Sequence, residues 1–244
     1  MKNLYLSIAF VTALLLFSAI LIADDTGKSG KLEMSERVFD FGMLPREAKV
    51  THTFILKNIG NDTIHITNIK PGCSCTAAPI DKEVIAVNDS AIMPVTFSTG
   101  RQSGETAKGV KITTDMKPRG LFPLEIKAYI ESPTGRPPKF FAEPRTIEFV
   151  RKMDQLSGTA GTTLKNELDH DVLVKIVDYT DNLGTPKLAE DKIKTGQSSI
   201  LTFDFRDDEN MRPEYGSITL EVLQDEREVM RYTVPVIRMA PVKE

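Results

Sequence analysis

Apolar and polar residues alternate in short runs along most of this chain, the period of a strand with one buried face. Thr51-His52-Thr53-Phe54-Ile55-Leu56-Lys57 sets the pattern. Phe54 and Leu56 are in phase there, His52 shares their parity and points inward, and Asn58-Ile59-Gly60-Asn61-Asp62 breaks the run. Ile64, Ile66 and Ile69 mark the next strand, which ends at Pro71-Gly72, and His65 lies on the opposite face. Further strands are expected over Glu83 to Val87, Ala91 to Phe97, Val110 to Thr114 and Leu121 to Ile130. Asn88-Asp89-Ser90, Gly100 to Gly104 and Lys117 to Gly120 separate them. Short runs at even spacing, divided by Gly, Pro, Asn and Asp, are the pattern of a β-sandwich or barrel.

Ser132-Pro133-Thr134-Gly135-Arg136-Pro137-Pro138 interrupts the rhythm with a linker's composition, since Pro-Pro stiffens the chain and removes backbone donors. Strands then resume over Thr146 to Val150, Thr159 to Asn166, Val172 to Asp178, Ser199 to Phe205, Gly216 to Leu223 and Glu228 to Ile237. Ile200, Phe203 and Phe205, then Ile218, Leu220 and Val222, supply a second core. Each half has about the 100 residues of an immunoglobulin-like domain. The expected fold is all-β, with two tandem immunoglobulin-like sandwiches over residues 32–132 and 139–240, joined by residues 133–138. No repeat of the first half is legible in the second.

The amino terminus departs from this pattern. No charge appears between Lys2 and Asp24, and Leu4 to Ala23 is dominated by Leu, Ile, Ala, Phe and Val. A run of roughly 20 apolar residues crosses a bilayer as a helix. Residues 1–23 are therefore expected to be an apolar helix serving as a membrane anchor, or a signal peptide cut after Ala23. No Cys follows to carry a lipoprotein anchor. Either reading places the rest of the chain outside the cytoplasm, in the periplasm or cell envelope.

Composition narrows the function classes. Among 244 residues, 31 basic and 34 acidic side chains leave a formal charge of −3, which gives no reason to expect nucleic acid. Two cysteines are too few for a disulfide scaffold or a complete thiolate metal site, and no tryptophan offers a stacking platform.

Four segments then fall in a distinctive order: Val38-Phe39-Asp40-Phe41-Gly42, Thr53 to Asn61, Ile64 to Ile69, and Gly72-Cys73-Ser74-Cys75-Thr76. In that order they resemble the bacterial domain of unknown function 1573, with its D-F-G opening, its F-x-x-x-N-x-G strand end and its C-G-C-T segment. The resemblance covers about residues 34–130. Ser74 stands where the family usually has Gly, and Val87-Asn88-Asp89-Ser90 replaces the usual P-G-E turn. Membership implies an immunoglobulin-type sandwich and bacterial export, and implies no enzymatic activity.

The residues themselves leave the chemistry open. On an extended strand Cys73 and Cys75 would share a face with Cα atoms roughly 6.5 Å apart, at the upper limit for a disulfide, and a bend at Pro71-Gly72 would shorten that. The pair reads as buried thiols or a bridge fastening a loop, or else as a redox-active, intermolecular or soft-metal site. A metal at Cys73 and Cys75 would need further ligands, and only His52 and His65 are near in sequence. Asp169-His170-Asp171 and the acidic segment Arg206 to Asn210 read as solvated loops, and no cofactor motif is present. The function expected is non-enzymatic: an exported cell-envelope protein that binds or scaffolds other envelope proteins, touching the membrane through its first segment if that is uncleaved. The alternative is a thiol-redox or soft-metal protein acting through Cys73 and Cys75.

Overall fold

The computed structural model describes residues 29–117, 120–135, 137–152, 157–207 and 212–241. The apolar helix expected over residues 1–23 lies outside them, as do Asp208 to Asn210 of the acidic segment. Among the described residues there is no helix, and the chain is built from eighteen strands.

Strands β1 (Leu32–Met34), β3 (Lys49–Asn58), β7 (Ser90–Ser98) and β5 (Thr76–Ala77) form one four-stranded sheet in the order β1-β3-β7-β5. A second, in the order β10-β12-β16-β14, joins β10 (Phe140–Glu143), β12 (Gly158–Asn166), β16 (Ser198–Phe205) and β14 (Gly184–Leu188). Both lie against one long sheet of ten strands. Its first part contains β2 (Val38–Leu44), β9 (Leu121–Ile130), β8 (Gly104–Thr114), β4 (Ile64–Pro71) and β6 (Val84–Ile85). Its second contains β15 (Lys192–Ile193), β13 (Val172–Tyr179), β17 (Glu214–Gln224) and β18 (Arg227–Arg238), with β11 (Ile147–Phe149) parallel to β18.

The alternation explains the layers. Along β7, Ala91, Met93, Val95 and Phe97 are buried, and along β9 Phe122, Leu124, Ile126, Ala128 and Ile130 face them across the first core. Phe203 and Phe205 of β16 meet Ile218, Leu220 and Val222 of β17 in the second. Two sandwich cores result, one in each half of the chain.

The halves share one strand plan, displaced by a fixed number of residues. Leu32 pairs with Asn58 and Phe140 with Asn166, Ile64 with Ile85 and Val172 with Ile193, Thr76 with Phe97 and Gly184 with Phe205. Each position in the second half lies 108 residues after its counterpart (166 − 58, 193 − 85, 205 − 97). Nine strands correspond one to one, from β1 and β10 to β9 and β18.

The buried asparagines at the strand ends show how deep the correspondence runs. Asn58 donates from Nδ2 to Asp62 O (2.8 Å) and Ile85 O (3.0 Å), and its Oδ1 accepts from Gly60 N at 3.0 Å. Asn166 donates to His170 O (3.0 Å) and Ile193 O (2.9 Å), and accepts from Leu168 N at 3.0 Å. A side-chain amide thereby ties a tight turn to a distant strand in both halves. Gly60 has a reason other than positive φ: Ser29 O and Lys31 N lie 2.4 Å from where its Cβ would stand. Leu168 fills that place in the second half, and the turn there needs no glycine.

Candidate docking face and the disulfide turn

The two halves meet through hydroxyl groups. Strands β17 and β18 are buried on both faces, because Ser217, Thr219 and Thr233 point away from their own core and toward the first half. Thr51 O accepts from Ser217 Oγ at 2.7 Å and from Thr180 Oγ1 at 3.2 Å, while Thr51 Oγ1 donates to Tyr215 O at 2.9 Å. Thr233 Oγ1 donates to Phe41 O at 2.5 Å, and Arg231 Nη1 to Asp40 O at 3.2 Å. A buried hydroxyl without such a partner would be costly, so this polar face fits only when the first half covers it.

Gly42 makes the close approach possible. Its φ is +65°, its N–H donates to Asp40 Oδ1 at 2.7 Å, and a Cβ there would stand 2.2 Å from Arg231 O. The D-F-G opening thus has a physical reading: Phe39 and Phe41 fill the core, Asp40 closes the turn, and Gly42 lets β18 pass.

Charged groups reinforce the junction. His52 is 5% exposed and stacks on Phe39 with ring centres 3.6 Å apart. Its Nε2 hydrogen-bonds Glu36 Oε1 at 3.0 Å, and its Nδ1 lies 3.1 Å from Asp178 Oδ2 of the second half, close enough for an ion pair but not aligned for a hydrogen bond. Arg145 donates to Glu131 at 2.6 Å and reaches Tyr232 Oη at 3.4 Å. Burial pushes the Glu131 carboxyl above the ordinary glutamate range, although Arg145 pulls it back, and burial also pushes the Tyr232 phenol up.

The outer face of the first half is open where the second is covered. A groove of about 530 Å³ runs across β4, β8, β9 and the start of β2. Gly72, Gly109 and Pro123 line it, with Arg37, Lys70 and Lys111 supplying charge. Lys70 and Lys111 stand directly opposite each other in the ladder, an unfavourable pairing of like charges.

The groove ends at Gly72, the residue before Cys73. Cys73 and Cys75 are joined in a disulfide with Cα atoms 5.3 Å apart. They sit in a turn between β4 and β5 rather than on an extended strand, because the chain bends once Gly72 N has bonded Gly109 O at 2.8 Å. Cys75 packs against the first core, as Leu183, 108 residues later (183 − 75), packs into the second. Thr76 Oγ1 lies 3.5 Å from the Cys73 sulfur and 3.9 Å from that of Cys75.

The other candidates are distributed otherwise. His52 serves the junction, and His65 is exposed, with its backbone N–H bonded to Asp115. Asp169 and His170 bond each other in the turn that Asn166 closes, and Asp171 accepts from Thr195 N at 2.9 Å. His170 holds the exposed Asp169 carboxyl below its ordinary range. No group of three metal-ligating side chains gathers among the described residues. Sequence reasoning missed the junction hydroxyls and the groove. The signal was present in β17, where Ser217 and Thr219 alternate with Ile218 and Leu220 in a strand with no exposed phase.

The molecule is thus a β-sandwich protein with one outer sheet face covered internally and the corresponding face open. Residues 32–130 match the model of the family described as protein of unknown function DUF1573, so the amino-terminal sandwich is a domain of that family. A search of the curated proteins finds no match. Among solved structures, a protein of unknown function from Porphyromonas gingivalis W83 is 12% identical, with a TM-score of 0.33, over 85% of this chain and 99% of that one. The YadV chaperone is 10% identical over 84% and 98%, with a TM-score of 0.30. The ASH/PapD-like domain 7 of human CEP192 is 11% identical over 46% and 94%, with a TM-score of 0.35. Scores this low carry neither the fold nor the function of these proteins to this chain.

Proposed function

We propose that this is an exported, non-enzymatic protein of the bacterial cell envelope, whose two immunoglobulin-like modules form one scaffold for binding other envelope proteins. The observation that carries the reading is the open face of the first module. A shallow groove floored by glycine backbone and flanked by three cations suits a partner segment lying across a sheet. The polar junction holds the second module fixed behind that face, so a partner meets a preformed surface. The Cys73–Cys75 bridge fits an oxidising compartment outside the cytoplasm, where residues 4–23 would anchor the chain or direct its release. In this state neither sulfur is a free thiolate, and a thiol-exchange or soft-metal role would first require reduction of the pair.

Capture from membrane extracts of the native bacterium tests the reading. Tagged protein should recover a reproducible set of envelope proteins, and Lys70→Glu with Lys111→Glu should lose it. Recovery of no reproducible partner, or equal recovery by the variant, would contradict a binding role for this face.

A further inference from the structure

From the repeat, we infer that the open face of the first module is a docking site for the second module of another copy of this chain, so that molecules associate head to tail. The inference rests on the proposed binding role and names the partner.

Ladder registers place the two faces in one-to-one correspondence. Asp178 pairs with Thr219 and Thr219 with Thr233; 108 residues earlier Lys70 pairs with Lys111, and Lys111 with Pro123. Thr180 N donates to Ser217 O at 3.1 Å as Gly72 N donates to Gly109 O at 2.8 Å. The face of β13, β17 and β18 that receives Thr51 and Phe41 therefore has its counterpart at Lys70, Gly72, Gly109, Lys111 and Pro123. In the second module this face is buried, and in the first it is exposed and lined by the groove.

The side that docks has a counterpart too. Thr51 pairs with Thr96, their hydroxyls 2.9 Å apart; Thr159 pairs with Asp204 and donates to it at 2.5 Å. Phe39 opposite Ile126 corresponds to Ile147 opposite Val236, which puts Val150 where Gly42 stands. Thr159, Asp204, Glu148 and Val150 are all exposed on the second module.

Charge and apolar surface decide what this pair of faces accepts. Inside one molecule, acidic Asp178 on the receiving face meets His52. On the open face Lys70 replaces Asp178 and Lys111 replaces Thr219, so the charge is reversed. The docking side of the second module is correspondingly acidic, with Asp204 beside Thr159 and Glu148 at the counterpart of Asp40. An acidic strand there relieves the facing Lys70 and Lys111, while the first module's own edge, with Lys49 and His52, is repelled. Arg231, which passes over Gly42, corresponds to Leu121: Arg231 pairs with Glu221 and Leu121 with Thr113. Leu121 and Val150 are each 57% exposed, and docking brings them together. Val150 keeps the backbones further apart than Gly42 does, so the contact between molecules is side chain on side chain and weaker than the internal junction. Because the faces differ, each copy keeps one free receiving face and one free docking side, and association grows as a line or closes as a ring.

Cysteine cross-linking on the full chain in membranes tests this, with Cys73 and Cys75 left paired. Leu121→Cys protein mixed with Val150→Cys protein should form a disulfide-linked dimer under mild oxidation, and a chain carrying both changes should form a ladder of larger species. Each single variant alone should stay monomeric, and Lys70→Glu with Lys111→Glu should abolish the ladder. Absence of the mixed dimer, or equal cross-linking of the single variants with themselves, would overturn the inference. Cross-linking with nothing captured from membrane extracts would leave self-association standing and sink the wider binding role. Capture without cross-linking would do the opposite.

Discussion

Asn58 and Asn166 offer a direct measure of how literally the two halves repeat each other. Both side chains are fully buried, and each makes two donor bonds and one acceptor bond to backbone. Alanine at either place removes all three. Two of the groups released, at Asp62 and Gly60 or at His170 and Leu168, lie where water can reach, so each bond there is worth about 1 kcal/mol net. The carbonyl of Ile85 or Ile193 lies inside the core, and leaving it without a donor costs about 1–3 kcal/mol. Asn58→Ala and Asn166→Ala should therefore each destabilise by about 3–4 kcal/mol. Guanidinium unfolding followed by far-UV circular dichroism reads this as a lower midpoint at unchanged slope. Asn58→Asp should cost at least as much at neutral pH, since a buried carboxylate would face two carbonyl oxygens. A loss below about 1 kcal/mol at either site, or costs at the two sites differing by more than about 2 kcal/mol, would refute the shared role of the pair.

Other perturbations follow from the junction and the turn. Gly42→Ala should lose at least about 2 kcal/mol, because its φ of +65° disfavours any side chain and the new Cβ would meet Arg231 O; a thermal midpoint equal to wild type would contradict this. Cys73→Ser with Cys75→Ser should lose about 1.5 kcal/mol through a freer unfolded chain and keep its circular dichroism spectrum, whereas loss of the fold would show that the bridge does more than fasten a turn. Glu131 has a folded value above its unfolded one, so its contribution is full below the ordinary glutamate range and is lost as pH rises through the folded value. The stability of Glu131→Gln relative to wild type should accordingly rise between about pH 4 and pH 7, and a flat or falling difference would remove burial as the dominant influence on this carboxyl.

Much of the fold was legible because each strand buries one face: Phe54 and Leu56, Phe203 and Phe205, Ile218 and Leu220 announce their layers by alternation. The inward parity of His52 was legible for the same reason, though not its partner Asp178, which lies 126 positions on (178 − 52). The repeat was hidden because packing conserves geometry rather than identity. Leu56-Lys57-Asn58 recurs as Leu164-Lys165-Asn166. Around it Gly60 gives way to Leu168, Cys75 to Leu183 and Gly42 to Val150, each meeting a different neighbour. The cysteines were legible as a pair but not as a turn, since two residues of separation fit a strand as well as a bend. The groove left no periodic signal, because glycine and proline on an outer face look like interruptions until the strands around them are placed.

The central claim is that one sheet face is covered within the molecule while its counterpart is open. Thiol labelling tests it at equivalent positions, with Gly109→Cys on the open face and Ser217→Cys on the covered one. A Cβ at Gly109 has only Leu124 O nearby, at 3.7 Å, so that variant should fold normally. In dilute native protein, with Cys73 and Cys75 paired, a maleimide should label position 109 at the rate of a free surface thiol. Position 217 should react only as the protein unfolds in denaturant. Equal labelling of the two positions in the native state would contradict the account.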